Sequence, residues 1–385
     1  MKRKCVSGVA ALLTACPWAT LAQADEADPI RIGYVAAMTG VLAPYDSVDG
    51  ARCQIARINE AGGVLGRKLE LESRDMKSDA VSGSVAAQEL IDMGVSALIA
   101  PPSDDTAIPV AALALAQQIP VLSVGSTAVQ FPLASPTNSY LTAFGDNLSA
   151  AAIAQYAAEQ GYKSAALMVS RDFGSYGIVV PNYFADAFQH HGGSILGEVN
   201  YNIGLSDYSA QIAAVKAMNP QPELIVGGFI APENGVIPRQ FKAGGVEAKF
   251  MGTDGYDDPG LPSIAGAGAD SVTFVTHGFP SEGTELKAFY DDCTARGYKI
   301  QNVFFALAGE TVLLIADAIT RAGSAEPADV NAALAVAENV KGITSDSITY
   351  KDRAGIPLKE LTVVTIKDGV FEPVGRMTPD YVPAP

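Results

Sequence analysis

Short runs of β-branched and apolar residues alternate with helical stripes along almost the whole chain, and this rhythm limits the fold more than any other feature. Residues 30–35 read as a strand, and Val48, Ala51, Ile55 and Ile58 then recur at helical spacing until Gly62-Gly63 closes the helix. Residues 68–74 alternate apolar with polar. Ser78-Asp79 then caps a helix that runs to about Met93. Residues 95–100 and 121–124 are continuous apolar strands on either side of a further helix, the pattern of a parallel sheet covered on both faces.

The rhythm restarts after a Pro- and Ser-rich stretch at residues 131–138. Strands are expected at 165–169, 195–201, 224–226, 250–251 and 272–276. Between them, Tyr208, Ile212 and Val215 mark a helix with Ser206 as its cap and Asn219-Pro220 as its stop. Longer helices follow at 285–296 and 304–321. The tail reads as strands at 343–350 and 361–366, with turns around 352–355 and Asp368-Gly369. No repeat is present. Two successive βα sets predict an α/β protein with two Rossmann-like lobes.

Composition narrows the partners. Acids outnumber bases 42 to 26 for a formal charge of −16, and no basic block occurs beyond the first four residues, so the counterion-displacing surface of a nucleic-acid binder is missing. Lys2, Arg3 and Lys4 precede an apolar run at 6–13, and Ala22-Gln23-Ala24 follows with small-x-small spacing, which predicts a cleaved leader over 1–24 and export to the periplasm. Leu13-Thr14-Ala15-Cys16 offers the alternative of a lipid anchor at Cys16, although Pro17 suits that poorly. Cleavage would remove three bases and no acids and leave Cys53 and Cys293, whose pairing the sequence leaves open. Three histidines and two distant cysteines show no metal-ligand spacing, so neither metal nor cofactor is expected.

Catalytic signatures are missing. The chain carries no G-x-S-x-G elbow, P-loop, H-E-x-x-H or complete G-x-G-x-x-G fingerprint. His190-His191 falls at a helix end, where a cationic side chain suits the dipole. Asp104-Asp105 and Asp257-Asp258 are adjacent pairs, which do not place two carboxylates across one bond. What remains is a set of loops after strands, rich in hydroxyls, glycine and aromatics, where open α/β sheets bind ligands. Residues 37–45 and Gly125-Ser126-Thr127 are the clearest.

Taken in order, Met38-Thr39-Gly40, the run Ile58-Asn59-Glu60-Ala61-Gly62-Gly63-Val64-Leu65-Gly66-Arg67, Ile119-Pro120-Val121-Leu122-Ser123, Ser206-Asp207-Tyr208-Ser209 and Met251-Gly252-Thr253-Asp254-Gly255 give a recognisable series. The chain resembles the type I periplasmic solute-binding proteins of the leucine/isoleucine/valine-binding group. That resemblance implies two lobes joined by a three-stranded hinge, 25–145 with 278–343 and 146–277 with 344–385. It also implies a monomer that closes on a small solute and delivers it to the permease and ATPase subunits of an ABC importer. A ligand sensor of the same fold is the alternative. Carried over by position, Tyr45 supplies an aromatic wall, Gly125 a carbonyl and Thr127 a hydroxyl and N–H. Tyr176, Phe229 and Asp254 come from the second lobe, Phe229 closing over the side chain and Asp254 pairing with an ammonium.

Asp104 departs from the pattern, standing where the family has a serine that binds the ligand carboxylate. Two facing carboxylates in a dry cleft repel by several kcal/mol at an effective dielectric of about 20. Either Asp104 turns away and Ser103 or Thr106 replaces the hydroxyl, or it is protonated, or the ligand is not a simple amino acid. An amino-acid-like solute is the expected ligand, with cationic, amide-like or aromatic solutes as alternatives.

Overall fold

A computed structural model describes residue 1, residues 28–172 and residues 174–385. The expected leader and Cys16 fall in 2–27, outside the described residues. The first half runs β1 (Ile30–Ala36), α1 (Val48–Glu60), β2 (Leu69–Asp75), α2 (Ala80–Asp92), β3 (Ala97–Ala100), α3 (Asp104–Ala114), β4 (Val121–Ser123), α4 (Gln130–Ala134) and β5 (Ser139–Leu141). The second runs α5 (Asp146–Glu159), β6 (Ser164–Val169), α6 (Tyr176–His190), β7 (Ser194–Asn200), α7 (Ser209–Lys216), β8 (Leu224–Gly227), α8 (Glu233–Ala243), β9 (Lys249–Gly252), α9 (Leu261–Ala265) and β10 (Val272–Thr276). Helices α10 (Glu285–Ala295), α11 (Phe304–Ala322) and α12 (Pro327–Ala335) follow, then β11 (Leu361–Lys367) and β12 (Val370–Met377).

Two separate sheets result. The first has five parallel strands in the order β2-β1-β3-β4-β5, and the second has seven in the order β12-β11-β10-β9-β8-β6-β7. In the second, β11 is antiparallel to both of its neighbours. The apolar runs are buried on both sides because successive strand residues face opposite ways. Ile32 and Tyr34 join one core of the first sheet while Val35 joins the other, and Leu224 and Val226 flank Ile225 likewise in the second.

Local signals account for many of the boundaries. Asp79 caps α2 by accepting a bond from the Ser82 amide at 2.7 Å, and the Ser47 hydroxyl does the same for α1 from Gly50 at 3.2 Å. The glycine-rich run after α1 is a structural turn. The Asn59 side chain brackets Leu69 at both amide and carbonyl, and Gly63 has φ +76° with Arg67 O only 2.0 Å from where a Cβ would lie.

Three expectations fail. Ser206 does not cap α7; Asp207 accepts from the Ser209 amide at 2.9 Å, while Gln240 of α8 clasps this turn through the Ser206 carbonyl and the Tyr208 amide. Residues 343–350 form no strand. Ile348 bonds back to Val340, and Ile348 and Tyr350 fill the core beside the first sheet instead of extending a ladder. The last passage between the sheets therefore comes at 358–361 rather than between 343 and 344, since Ile356 is still in a core of the first sheet. Strands β5 and β12 were not anticipated, the former because it is three residues long and the latter because it is mostly exposed.

Cys53 of α1 and Cys293 of α10 are bonded, with Cα atoms 5.9 Å apart, which settles the pairing left open above.

The chain crosses between the sheets at 142–146, 277–284 and 358–361, and buried polar groups tie the crossings together. Lys359 and Glu310 are both fully buried, with Nζ 2.5 Å from Oε1. Lys359 also donates to the Thr344 hydroxyl at 2.8 Å and the Thr142 carbonyl at 3.2 Å. The second oxygen of Glu310 accepts from the amides of Ile343 and Thr344 at 2.8 and 2.7 Å. Every proton of this ammonium therefore has an acceptor, the condition under which a buried ion pair is tolerated.

Candidate functional site

The loops at the carboxyl ends of the parallel strands in both sheets converge on one cavity of about 510 Å3. From the first sheet, the loop after β1 ends in a short turn that presents Tyr45, the loop after β3 leads through Ser103 into α3 at Asp104, and the loop after β4 presents Gly125, Ser126 and Thr127. From the second sheet come Tyr176 at the start of α6, Ile230 after β8, and Asp254 with Gly255 after β9. Seven residues singled out in the sequence thus line one space: Tyr45, Ser103, Asp104, Gly125, Thr127, Tyr176 and Asp254.

Phe229 does not. Its ring is fully buried in the core of the second lobe, packed on Tyr201, Phe250 and Tyr256 with centroids 5.4–6.3 Å away. The next residue, Ile230, turns to the cavity instead. The further aromatic wall comes from Phe304, which meets Tyr45 edge-on at 5.5 Å. Phe304 opens a long apolar helix, so nothing in its surroundings marks it as more than core.

Backbone packing fixes the loops. A Cβ on Gly125 would lie 2.5 Å from the Tyr45 carbonyl oxygen and 2.8 Å from Pro102, so only glycine lets these loops approach so closely. Asp46 holds the first loop from beneath, accepting from the Tyr34 hydroxyl and from the amides of Ala37 and Ser47 at 2.7 and 2.9 Å. Burial raises its carboxyl to about 6 despite those bonds. Tyr176 organises the other side, its hydroxyl sharing a 2.6 Å bond with Thr253 and accepting from the Gly255 amide at 3.1 Å. Across the cavity, the Ser175 hydroxyl donates to the half-buried Asp104 at 3.4 Å, so Asp104 reaches towards the opposite lobe.

Asp254 accepts from His277 Nε2 at 3.2 Å, and the ring stacks on Phe144 with centroids 3.7 Å apart. Burial lowers the His277 pKa below its usual value, which disfavours a cationic ring beside Asp254. Asp146 is the residue that the sequence did not reveal. It opens α5, is 1% exposed, lines the cavity, and neither of its carboxyl oxygens meets a hydrogen-bond donor among the described residues. Burial pushes its carboxyl up to about 8, and the charges of Asp254 and Asp104 add to the rise. Thr127 lies close enough to temper that rise without reaching hydrogen-bond geometry. An aspartate at a helix start reads as an ordinary dipole partner, which is why no sequence signal set it apart. No group of His, Cys, Asp and Glu among the described residues could hold a metal ion.

The chain is similar to known proteins. The profile of the periplasmic binding protein family matches residues 29–370. A Leu/Ile/Val-binding protein of Rhizobium johnstonii is 29% identical over 326 residues, covering 83% of this chain and 86% of the relative. A crystal structure of a leucine-binding protein of Thermotoga maritima superposes with a TM-score of 0.78 at 25% identity, over 91% of this chain and 99% of that one. A solute-binding protein of R. palustris in complex with 4-hydroxybenzoate gives the same TM-score of 0.78 at 22% identity, over 92% and 98%. The match runs from the first strand to the start of the last, so the chain belongs to the periplasmic binding protein family.

Proposed function

We propose that this chain is the extracytoplasmic solute-binding component of an ABC importer, taking a small amino-acid-like solute between its lobes and presenting it to permease and ATPase subunits without turning it over. The carrying observation is one cavity lined by loop ends of both sheets, so that full contact with a ligand needs the two lobes together. Its volume suits a small organic molecule. The names of the relatives support the class: one binds leucine, isoleucine and valine, and another structure carries leucine binding in its description. The complex with 4-hydroxybenzoate shows that this fold does not by itself decide the ligand.

In this reading Asp254, the Gly125 carbonyl and the Thr127 hydroxyl receive an ammonium group, and Tyr45, Tyr176 and Ile230 enclose the remainder. The lobes comprise residues 28–145 with 278–358 and 146–277 with 359–385, and binding shifts the hinge towards closure. Among the described residues no helix is long and apolar enough to cross a membrane. A thermal-shift screen over a metabolite library tests the proposal, because a ligand at 100 times its Kd adds about 2.7 kcal/mol of stability. A hit that also shrinks the radius of gyration in small-angle scattering is the expected result. A silent library, or a hit that leaves the radius unchanged, would overturn it.

A further inference from the structure

Five carboxylates line the cavity: Asp104, Asp105, Asp146, Asp172 and Asp254. No lysine, arginine or histidine lines it among the described residues. The protein itself answers some of these acids. Asp105 accepts from the Ser103 hydroxyl, and Asp172 from Ser170 and the Ile203 amide, so both are parts of loop structure. Asp254 has His277 Nε2 and the Tyr176 hydroxyl at 3.2 and 3.5 Å, and among the described residues Asp104 has only the long bond from Ser175. Asp146 is 1% exposed, and neither of its carboxyl oxygens meets a hydrogen-bond donor among the described residues. A buried polar group left unpaired in a folded protein calls for an explanation, and one that faces a ligand-sized cavity has an obvious candidate partner.

Building on the solute-binding reading, we infer that the natural ligand is a small organic cation carrying at least one more positive group than it has carboxylates, with its ammonium or guanidinium groups held by Asp146 and Asp104 as well as by Asp254. A neutral zwitterion such as leucine would neutralise one acid and press its own carboxylate against the others. A second cationic group pairs with both oxygens of Asp146 once that acid ionises and offsets the negative charge that its ionisation adds beside Asp254 and Asp104. Tyr45, Tyr176 and Phe304 line the same cavity, and the face of an aromatic ring attracts an organic cation. Two sources share this chemistry, a basic amino acid and a carboxylate-free amine, and the order of arginine and agmatine below tells them apart.

Binding should also move a proton. The charged groups facing Asp146 are Asp254 and Asp104, with the phenols of Tyr176 and Tyr183 beside them; none is cationic. The free carboxylic acid would release its proton to the buffer as the carboxylate–cation pair forms, so affinity should rise with pH up to about 8.

Calorimetry on the full chain at pH 7, with leucine, arginine, agmatine and 3-methylbutylamine as probes, tests the inference. Arginine or agmatine should bind at least tenfold more tightly than leucine, and the apparent enthalpy should differ between phosphate and Tris because a proton leaves. Arginine ahead of agmatine identifies the basic amino acid as the source, and the reverse order identifies the amine. Asp146→Asn should weaken the cation ten- to a hundredfold while its Tm stays level or rises, so a folding defect cannot explain the loss. Leucine bound more tightly than every cation overturns the inference and leaves the binding reading intact. Equal cation affinity in Asp146→Asn also overturns it, as does the failure of all four probes; only a silent metabolite library as well would count against the binding reading itself.

Discussion

Two places in this molecule hold carboxylates with almost no exposure to solvent, and they are opposite in construction. At the hinge, Glu310 meets Lys359, the Thr344 hydroxyl and two backbone amides. In the cleft, neither carboxyl oxygen of Asp146 meets a hydrogen-bond donor among the described residues. The same functional group is thus a finished piece of architecture in one place and an open valence in the other. Burial alone does not mark a binding residue. The distinguishing mark is burial without a partner, next to a space large enough to admit one.

Covalent closure sets the upper end of the scale against which this contrast can be tested. The Cys53–Cys293 bond spans a sequence separation of 240, for which chain entropy gives a contribution of about 5 kcal/mol at most. A Cys53→Ser, Cys293→Ser double variant should lose much of that in urea unfolding while ligand affinity holds, because neither sulfur lines the cavity. Loss of binding in a still-folded variant would show that the lobe transmits strain to the cleft. At the hinge, Lys359→Met strands Glu310 and should cost about 3–5 kcal/mol, and adding Glu310→Leu should recover a large part. If the single variant proves as mild as a surface change, the hinge pair is no more essential than its exposed counterparts.

Phe229 and Tyr45 sharpen the comparison from the apolar side. Phe229→Ala should cost about 3–5 kcal/mol of stability and leave the affinity of the folded protein nearly unchanged. Tyr45→Ala should do the reverse, with a small change in Tm and an affinity lower by about tenfold. Equal effects from both would return Phe229 to the cleft. In the free protein, Asp146→Asn should change stability only at high pH. The folded carboxyl titrates at about 8, far above its unfolded value, so its favourable protonated form is complete below pH 4 and stability drains away as pH rises towards 8. The variant should therefore match the parent at pH 4 and exceed it by about 1–3 kcal/mol at pH 8. Parallel stability curves would mean that Asp146 is solvated after all.

The strands were legible because a sheet buried on both faces needs uninterrupted apolar runs, and those runs stand out at 95–100, 121–124 and 272–276. Residues 343–350 hold β-branched residues without such a run, and Ile348 and Tyr350 go into packing rather than into a ladder; β-branched content reports burial, not hydrogen-bond partners. Site loops were legible as glycine and hydroxyl clusters after strands, where Gly125 and Thr127 stand. Phe229 was misplaced by a single residue, since Ile230 points the other way and strand-end twist is not written in any one side chain. Asp146 gave no signal because what distinguishes it, the lack of a donor, depends on residues far along the chain.

The first sheet is closed by residues from the far end of the sequence. Its core takes in Phe304, Leu307, Ile315, Ile348 and Tyr350, and the open edge at β5 is sealed where the Gly355 carbonyl accepts from the Leu141 amide at 2.9 Å and the Tyr350 hydroxyl donates to the Leu141 carbonyl at 2.6 Å. A ribosome makes this lobe's strands first and their cover last. Nascent chains ending near residue 300 should stay protease-sensitive over residues 30–141, and protection there would show that the sheet seals itself without its late partners. For a chain bound for export, connectivity alone then delays native closure until nearly the last residue is made, so it can remain threadable without any weakness in the finished core.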